Sequence, residues 1–440
     1  MTIKNSRTAL AVKNIGVSII LKGISILISF ILVPMTLDYL NEYEYGIWLT
    51  LSSILSWIYL MDIGLGNGLR NKLTEALANK NLELGRIYVS TAFFYLTAII
   101  LTFYVIFILS QTFIDWYSIL NVEHDKVSNL NSIVTIVVGI VCVNFLFKMV
   151  GNIYMAHQLP AVNDFMVLLG NIMSLTIIFI LTKTTSGSLI DVALTFSAAP
   201  ALVYMIAFPI TFRIFKEIRP SIKYVRKKYF SDLITLGANF LIIQIAALVI
   251  FMTSNVIISH LFGPAEVTPY NIAYKYFSIT ITVFSLILNP FWSAITDAKE
   301  KNDYEWIKRI FRKLLFSWLI LDVTIIVMVF IAPIFYKVWI GDDVGIPRGM
   351  TILCALYVIF YNISNLLAFV INGFGTLRIA TFFSIFQAAC YIPMAIYFGK
   401  NFGVSGILIA LCITTILNLT WAPYQCFLLI NNRAAGIWRL

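Results

Sequence analysis

The feature that most constrains this chain is a series of apolar stretches, each about 20 residues long, which recurs along nearly its whole length. A helix of that length spans the ~30 Å hydrocarbon core of a bilayer, since each residue adds ~1.5 Å. Lipid offers the backbone no hydrogen-bond partner, so a spanning segment must be a helix or part of a closed barrel. The stretches are too long for barrel strands and do not alternate, and helices are therefore predicted.

Composition indicates the same environment. Apolar residues make up 60% of the chain and charged residues 12%, whereas a soluble domain has about 25% charged residues. The five cysteines lie in apolar stretches without metal-ligand spacing, so no metal or cofactor is expected. The net charge of +10 comes from short basic clusters between the stretches, which makes nucleic acid an unexpected partner.

Hydropathy predicts an all-α integral membrane protein with twelve transmembrane helices. A cytoplasmic N-terminus places most Lys and Arg residues on the cytoplasmic side, chiefly in the segments 215–231 and 297–313, as the positive-inside rule requires. Both termini are then cytoplasmic. The predicted spans lie near 14–40, 45–63, 88–109, 132–154, 165–181, 190–214, 233–261, 269–294, 314–337, 350–371, 379–398 and 404–429.

The segment 215–231, here called the basic segment, follows the sixth span and divides the chain into similar halves. We predict an N-terminal six-helix bundle over 1–214 and a C-terminal one over 232–440. Thr74-Glu75-Ala76 after span 2 matches Thr296-Asp297-Ala298 after span 8. Because six is an even number, the halves share one orientation, and two parallel bundles around a central cavity are predicted.

Two predicted spans have a polar face that includes a lysine. The residues recur at intervals of three and four, which places them on one side of a helix. They are Asn271, Lys275, Ser278 and Thr282 in span 8, and Ser18, Lys22 and Ser25 in span 1. Ser and Thr often join neighbouring helices, so a structural role stays open for them. A lysine in hydrocarbon costs roughly 2.5–3.5 kcal/mol, so both lysines are predicted to line an aqueous cavity. Snorkelling to the membrane surface or structural pairing with another side chain is the alternative.

Other titratable residues give a weaker signal. Asp322 lies well inside span 9, where it is either an ion-coupling site or the partner of a lysine. The histidines, His124, His157 and His260, lie far apart and without ligand spacing. Since no catalytic arrangement is found, a transporter is predicted and not an enzyme.

Several motifs resemble the beginning of bacterial polysaccharide-repeat flippases. These proteins carry O-antigen, capsule or exopolysaccharide units and belong to the multidrug/oligosaccharidyl-lipid/polysaccharide exporter superfamily. The likeness extends to the chain length, the twelve spans and the two bundles. The motifs are Val33-Pro34, Tyr45-Gly46-Ile47-Trp48 and Asp62-Ile63-Gly64-Leu65-Gly66-Asn67-Gly68-Leu69-Arg70-Asn71.

The resemblance implies that an undecaprenyl-diphosphate-linked oligosaccharide moves from the cytoplasmic to the external leaflet of a bacterial plasma membrane by alternating access. Spans 1, 2, 7 and 8 line the cavity in this superfamily, so Lys22 and Lys275 are expected to hold the anionic headgroup. Relatives tend to use arginines there, and a lysine lacks their bidentate geometry. Asp62 and Arg70 are expected at a cytoplasmic gate. Membrane lipid, a polysaccharide polymerase and other glycan-assembly proteins are the expected partners.

Two alternatives remain. A multidrug cation antiporter of the same superfamily would favour cavity carboxylates, but the cavity helices of the first half offer Asp38 and Asp62 only near their ends, with a lysine deeper in span 1. A membrane polysaccharide polymerase or ligase would need a large external loop with catalytic side chains. The longest external segment, 110–131, has no recognisable acid/base arrangement.

Overall fold

The computed structural model describes residues 2–58, 65–125, 127, 129–300, 302–341, 344–376 and 378–439. Within these ranges the chain forms fourteen α-helices with short connections and no strand. The helices are α1 (Thr2–Tyr39), α2 (Glu42–Ser56), α3 (Leu65–Ala78), α4 (Leu82–Ser110), α5 (Trp116–Leu120), α6 (Leu130–Ala156), α7 (Pro160–Thr184), α8 (Leu189–Ile214), α9 (Lys227–Phe262), α10 (Val267–Glu300), α11 (Tyr304–Ile340), α12 (Arg348–Phe374), α13 (Arg378–Phe402) and α14 (Val404–Ile430).

Most of these helices can cross a bilayer. In the described part of the chain, ten are long and apolar enough to do so. The two remaining predicted spans, 45–63 and 233–261, overlap α2 and α9. Residues 59–63 of the first of these spans lie outside the described residues. Large apolar side chains stay exposed on the long helices, for example Phe330 and Ile334 of α11, as lipid-facing surfaces require. The predicted all-α membrane fold is confirmed, and the count of twelve spans agrees with it.

The chain separates into two units, Met1–Gln244 and Ile245–Leu440. Inside each unit, the second span packs against the fourth, the fourth against the sixth and the fifth against the sixth. The first and fifth spans are also linked in both: α1 packs along α7, and Ser254 of α9 shares a hydrogen bond with Tyr391 of α13. This common pairing is what an internal repeat requires. The domain limits at 214 and 232 stay a prediction.

Gly68 allows a close approach between α3 and α9. A Cβ atom on Gly68 would lie 2.1 Å from the backbone oxygen of Leu233, far inside van der Waals contact. Glycines in a motif such as Asp62–Arg70 are typical of turns, but Gly66 and Gly68 lie within α3. Tight helix packing, and not a turn, explains the absence of a side chain at Gly68.

The basic segment is held against α4. Arg86 of α4 donates a hydrogen bond from Nε to the backbone oxygen of Arg219 (3.0 Å), and its guanidinium lies 4.1 Å from the ring centroid of Tyr224. The hydroxyls of Ser90 and Thr91 accept hydrogen bonds from two backbone amides of the segment, at 3.0 and 3.2 Å. Because these contacts satisfy its backbone, the segment has a defined path despite its positive charge.

His157 ends α6 immediately after the apolar span Leu130–Ala156. Its ring stacks on Phe215 with the centroids 3.9 Å apart, and Nδ1 donates a hydrogen bond to the backbone oxygen of Ile153 (2.8 Å). Burial lowers the pKa of His157 below its ordinary value of 6.5, although the hydrogen bond to Ile153 opposes this shift. The folded chain therefore favours the neutral ring.

The lowered pKa predicts a loss of stability in acid. As the pH falls from the unfolded pKa through the lower folded pKa, the unfolded chain binds the proton more readily, and the folded state is destabilised. The melting temperature should therefore fall more between about pH 7.5 and 5 for the wild type than for a His157→Phe variant, by on the order of 2 °C. Thermal unfolding in detergent at both pH values measures this, and equal falls in the two chains would contradict it.

Candidate functional site

Lys22 lies beside a carboxylate of another helix. The Nζ atom of Lys22, on α1, is 3.7 Å from Oδ2 of Asp164 on α7. Ser18, one turn earlier on α1, donates a hydrogen bond to the same oxygen. Lys22 lies about 9 Å from the start of the apolar span Gly16–Tyr39, at ~1.5 Å per residue. The lysine charge inside the membrane segment is therefore partly balanced by Asp164.

The three side chains differ in exposure. Ser18 is 7% exposed, and the side chain of Asp164 is 10% exposed, whereas that of Lys22 is 46% exposed. An ammonium group has three donors, and one carboxylate oxygen at this distance does not use them all. Lys22 can therefore contact a second anion while Asp164 stays buried behind it.

Asp164 is the residue that sequence reasoning missed. The predicted fifth span began at residue 165 and left Asp164 in the preceding connection, but α7 begins at Pro160 and places Asp164 one turn inside the helix. A proline is favoured in the first turn of a helix, since its missing N–H would be unpaired there anyway. Pro160 was therefore the signal that could have placed this carboxylate within the span.

Asp322 lies in the C-terminal unit, on α11, where it is half-buried. Its Oδ1 atom is buried and accepts no hydrogen bond from the described residues. The carboxylate next to Lys22 is Asp164. Ion coupling by Asp322, or its pairing with a different lysine, stays a prediction.

The other predicted residues of the first half lie at different points of the N-terminal unit. Ser25 is half-buried on α1, almost one turn beyond Lys22. Arg70 is exposed on α3, and its backbone oxygen accepts a hydrogen bond from the hydroxyl of Thr74 (2.7 Å). Asp62 lies outside the described residues. The gate formed by Asp62 and Arg70 therefore stays a prediction.

The polar face of α10 is the less buried side of that helix. All four of its predicted site residues, namely Asn271, Lys275, Ser278 and Thr282, are half-buried. On the opposite side of α10, Phe277 and Phe284 are fully buried in the C-terminal unit. This difference follows from the periodicity of 3.6, because the apolar residues pack against neighbouring helices and leave the polar residues more open.

Hydrogen bonds on this face show which groups have local partners. Asn271 donates from Nδ2 to Oδ1 of Asn255 on α9 (2.8 Å), so it links two helices. Ser278 and Thr282 donate to backbone oxygens of α10 itself, at 2.8 and 3.2 Å. A hydroxyl that donates to its own helix keeps acceptor lone pairs. These two residues therefore have the means to accept hydrogen bonds from a ligand.

The fold is that of known membrane transporters. A solved structure described as the inward-facing conformation of a multidrug resistance MATE family transporter of the MOP superfamily matches with a TM-score of 0.78, at 11% identity, over 93% of this chain and 96% of that one. The outward-facing conformation described for such a transporter matches with a TM-score of 0.66, also at 11% identity, over 97% and 96%. At this identity the likeness concerns the fold.

The family follows from sequence. Residues 11–295 match the family model described as polysaccharide biosynthesis protein, and the chain belongs to that family. A protein named as an O-antigen export protein in Yersinia pseudotuberculosis is 22% identical over 414 residues, which cover 90% of this chain and 91% of that protein. One named as an O-antigen transporter in Salmonella typhi is 21% identical over 420 residues, covering 93% and 94%. The predicted family resemblance and the transporter class are confirmed.

Proposed function

We propose that this chain moves an undecaprenyl-diphosphate-linked oligosaccharide from the cytoplasmic to the external leaflet of a bacterial plasma membrane, for surface polysaccharide biosynthesis. The observation that carries the proposal is Lys22, a half-exposed cation within a membrane span that has a buried carboxylate behind it. The family of the chain and the names of its relatives support a polysaccharide substrate.

The charge of the lipid headgroup suits this site. A diphosphate is strongly anionic, and an ammonium group in a low-dielectric environment attracts it far more than in water. In the empty transporter Asp164 and Ser18 stabilise the site around Lys22. When the headgroup binds, its phosphate oxygens approach the exposed side of Lys22 and weaken the pairing with Asp164. This exchange of anions lets the site release the headgroup again, because Asp164 offers Lys22 a replacement partner.

Lys275 supplies a second cation in the C-terminal unit. Ser278 and Thr282 on the same face of α10 accept hydrogen bonds from sugar hydroxyls, while Asn271 and Ser25 contribute further polar contacts. The two lysines act in succession during alternating access, each within its own unit. An ammonium is a point charge without the planar geometry of arginine. The two lysines therefore suit a headgroup that moves from one to the other better than strict selection of a substrate by its geometry.

The positive-inside rule gives the orientation. We place both termini and the basic segment in the cytoplasm, where the lysines and arginines of 215–231 contact anionic lipid headgroups. The lipid tail of the substrate stays in the bilayer during transfer. A polysaccharide polymerase and other glycan-assembly proteins are the partners that would consume the exported unit.

Reconstitution tests this function directly. The purified chain is placed in vesicles with a fluorescent undecaprenyl-diphosphate-linked oligosaccharide, and the fraction that becomes accessible to a membrane-impermeant quencher is followed. We expect faster exposure than in protein-free vesicles. Proton or sodium efflux driven by a cationic drug, without movement of the lipid-linked sugar, would instead identify a multidrug antiporter.

A further inference from the structure

A cavity of about 280 Å³ lies inside the N-terminal unit, between α2, α6, α7 and α8. It does not include Lys22 or Asp164. The volume is close to the lower limit of ~300–1,000 Å³ for small-molecule sites, so it suits one small ring and is too small for an oligosaccharide. The residues that matter below are Trp48, Ser52, Asn144, Lys148, Phe196 and Ser197.

The charge of the lining disfavours a cationic ligand. Lys148 is the only charged residue among the described residues that line the cavity, and none of those residues is a carboxylate. A cation would therefore meet repulsion without a compensating anion. A neutral or anionic ligand meets no such repulsion.

Two serine hydroxyls of the cavity can only accept hydrogen bonds from a ligand. The hydroxyl of Ser52 donates to the backbone oxygen of Leu49 (2.8 Å), and that of Ser197 donates to the backbone oxygen of Ala193 (2.6 Å). Both hydroxyls therefore have lone pairs to offer and no free donor. Acceptors of this kind require a ligand with O–H or N–H donors.

Asn144 strengthens this argument. The residue is 5% exposed, it lines the cavity, and its buried Oδ1 atom accepts no hydrogen bond from the described residues. A buried amide oxygen without a donor is unfavourable, and such groups are uncommon in folded proteins. A ligand hydroxyl at this position would satisfy it.

Aromatic rings form another part of the wall. Trp48 and Phe196 both line the cavity, and their rings stack with centroids 5.5 Å apart and an angle of 17° between the planes. The face of an aromatic ring is negative, so it attracts groups with positively polarised hydrogens, such as the C–H groups of a sugar ring. The combination of two aromatic rings with hydroxyl and amide acceptors in one lining suits a pyranose.

We propose that this cavity binds a single sugar residue by its hydroxyls and one C–H face. The inference rests on the proposed function. In this proposal the cavity binds a sugar of the substrate, and a different site of the N-terminal unit, at Lys22, binds the diphosphate. An acyl chain is a poorer occupant, because it would leave Asn144 Oδ1 without a donor.

Binding of simple glycosides tests the proposal. The full-length chain in nanodiscs is titrated with the methyl glycosides of glucose, galactose, rhamnose and N-acetylglucosamine, with choline as the cationic probe, and saturation-transfer NMR reports binding. We expect at least one glycoside to bind and choline not to bind. Asn144→Leu, which removes the acceptor, and Ser197→Leu, which fills the cavity, should each weaken glycoside binding about tenfold.

Neighbouring serines of α2 provide the matched control. Ser52 lines the cavity and Ser53 does not, although both hydroxyls donate to the backbone oxygen of Leu49. Ser52→Ala should weaken glycoside binding, and Ser53→Ala should leave it unchanged. Equal effects of the two substitutions, or binding of choline in preference to every glycoside, would overturn the proposal.

The vesicle assay separates this inference from the proposed function. If the chain moves the lipid-linked oligosaccharide but binds no glycoside, the cavity proposal is overturned and the flippase function stands. If glycosides bind with the expected variant pattern but no lipid-linked oligosaccharide moves, sugar recognition is supported and the flippase function is contradicted.

Discussion

A Lys22→Ala variant is expected to export about 30-fold less surface polysaccharide than the wild type, measured in cells whose own flippase gene is deleted. The substitution removes the cation that we propose binds the diphosphate, and it leaves the buried carboxylate of Asp164 without its neighbouring ammonium. Both effects disfavour an anionic headgroup. The amount of protein in the membrane must be measured alongside, since an uncompensated buried charge also destabilises the fold.

Companion variants distinguish the headgroup role from a structural one. The double variant with Lys22→Ala and Asp164→Asn has no charge at the pair, so it should fold well and still fail to export. Lys183→Ala, at the exposed end of α7, is the matched control and should export normally. If the double variant recovered export, the lysine would be needed for folding and not for the substrate.

Lys275→Ala provides an independent test of the second cation. It should lower export while glycoside binding in the N-terminal cavity stays unchanged, because the two sites lie in different units. Full export with normal expression in both lysine variants would contradict the headgroup role of the two residues.

A Gly68→Ala variant is expected to unfold at a temperature about 1–3 °C lower than the wild type. Because the added Cβ would lie 2.1 Å from the backbone oxygen of Leu233, α3 and α9 must move apart, and overpacking of this kind costs about 1–3 kcal/mol. Fluorescence-detected size-exclusion chromatography after heating measures the loss of folded protein in detergent.

Gly16→Ala is the matched control for Gly68→Ala. Gly16 is also a helical glycine, on α1, but a Cβ there meets nothing within 4 Å. Alanine has a higher helix propensity than glycine, so this variant should be as stable as the wild type or more stable, by up to about 1 kcal/mol. Equal melting temperatures for the two variants would contradict the close approach of α3 to α9.

Much of this architecture could be predicted from the sequence because its causes are local. Apolar stretches of bilayer length must be helices in lipid, whichever neighbours they have. Asn271, Lys275 and Ser278 recur at intervals of three and four, and helix geometry alone places residues at such intervals on one face of α10. The family resemblance came from short motifs near the N-terminus and agrees with the match over residues 11–295.

Contacts between helices could not be predicted in this way. Asp164 lies 146 residues from Ser18 in sequence, and it meets Lys22 only because α1 packs along α7. The local sequence around Gly68 does not show why a side chain is absent there, because the backbone that approaches it belongs to Leu233 on α9. The cavity with Trp48, Asn144 and Ser197 likewise needs several helices to assemble.

The sequence by itself therefore determined that the chain is a helical membrane protein, and it determined the polar faces of α1 and α10, which carry Lys22 and Lys275. Only the tertiary structure decided which carboxylate faces Lys22 and where the cavity between α2, α6, α7 and α8 forms. The physical reason is the sequence separation of the residues that interact. Helical periodicity depends on residues three and four apart. Which helices become neighbours depends on the close packing of side-chain surfaces that are distant along the chain.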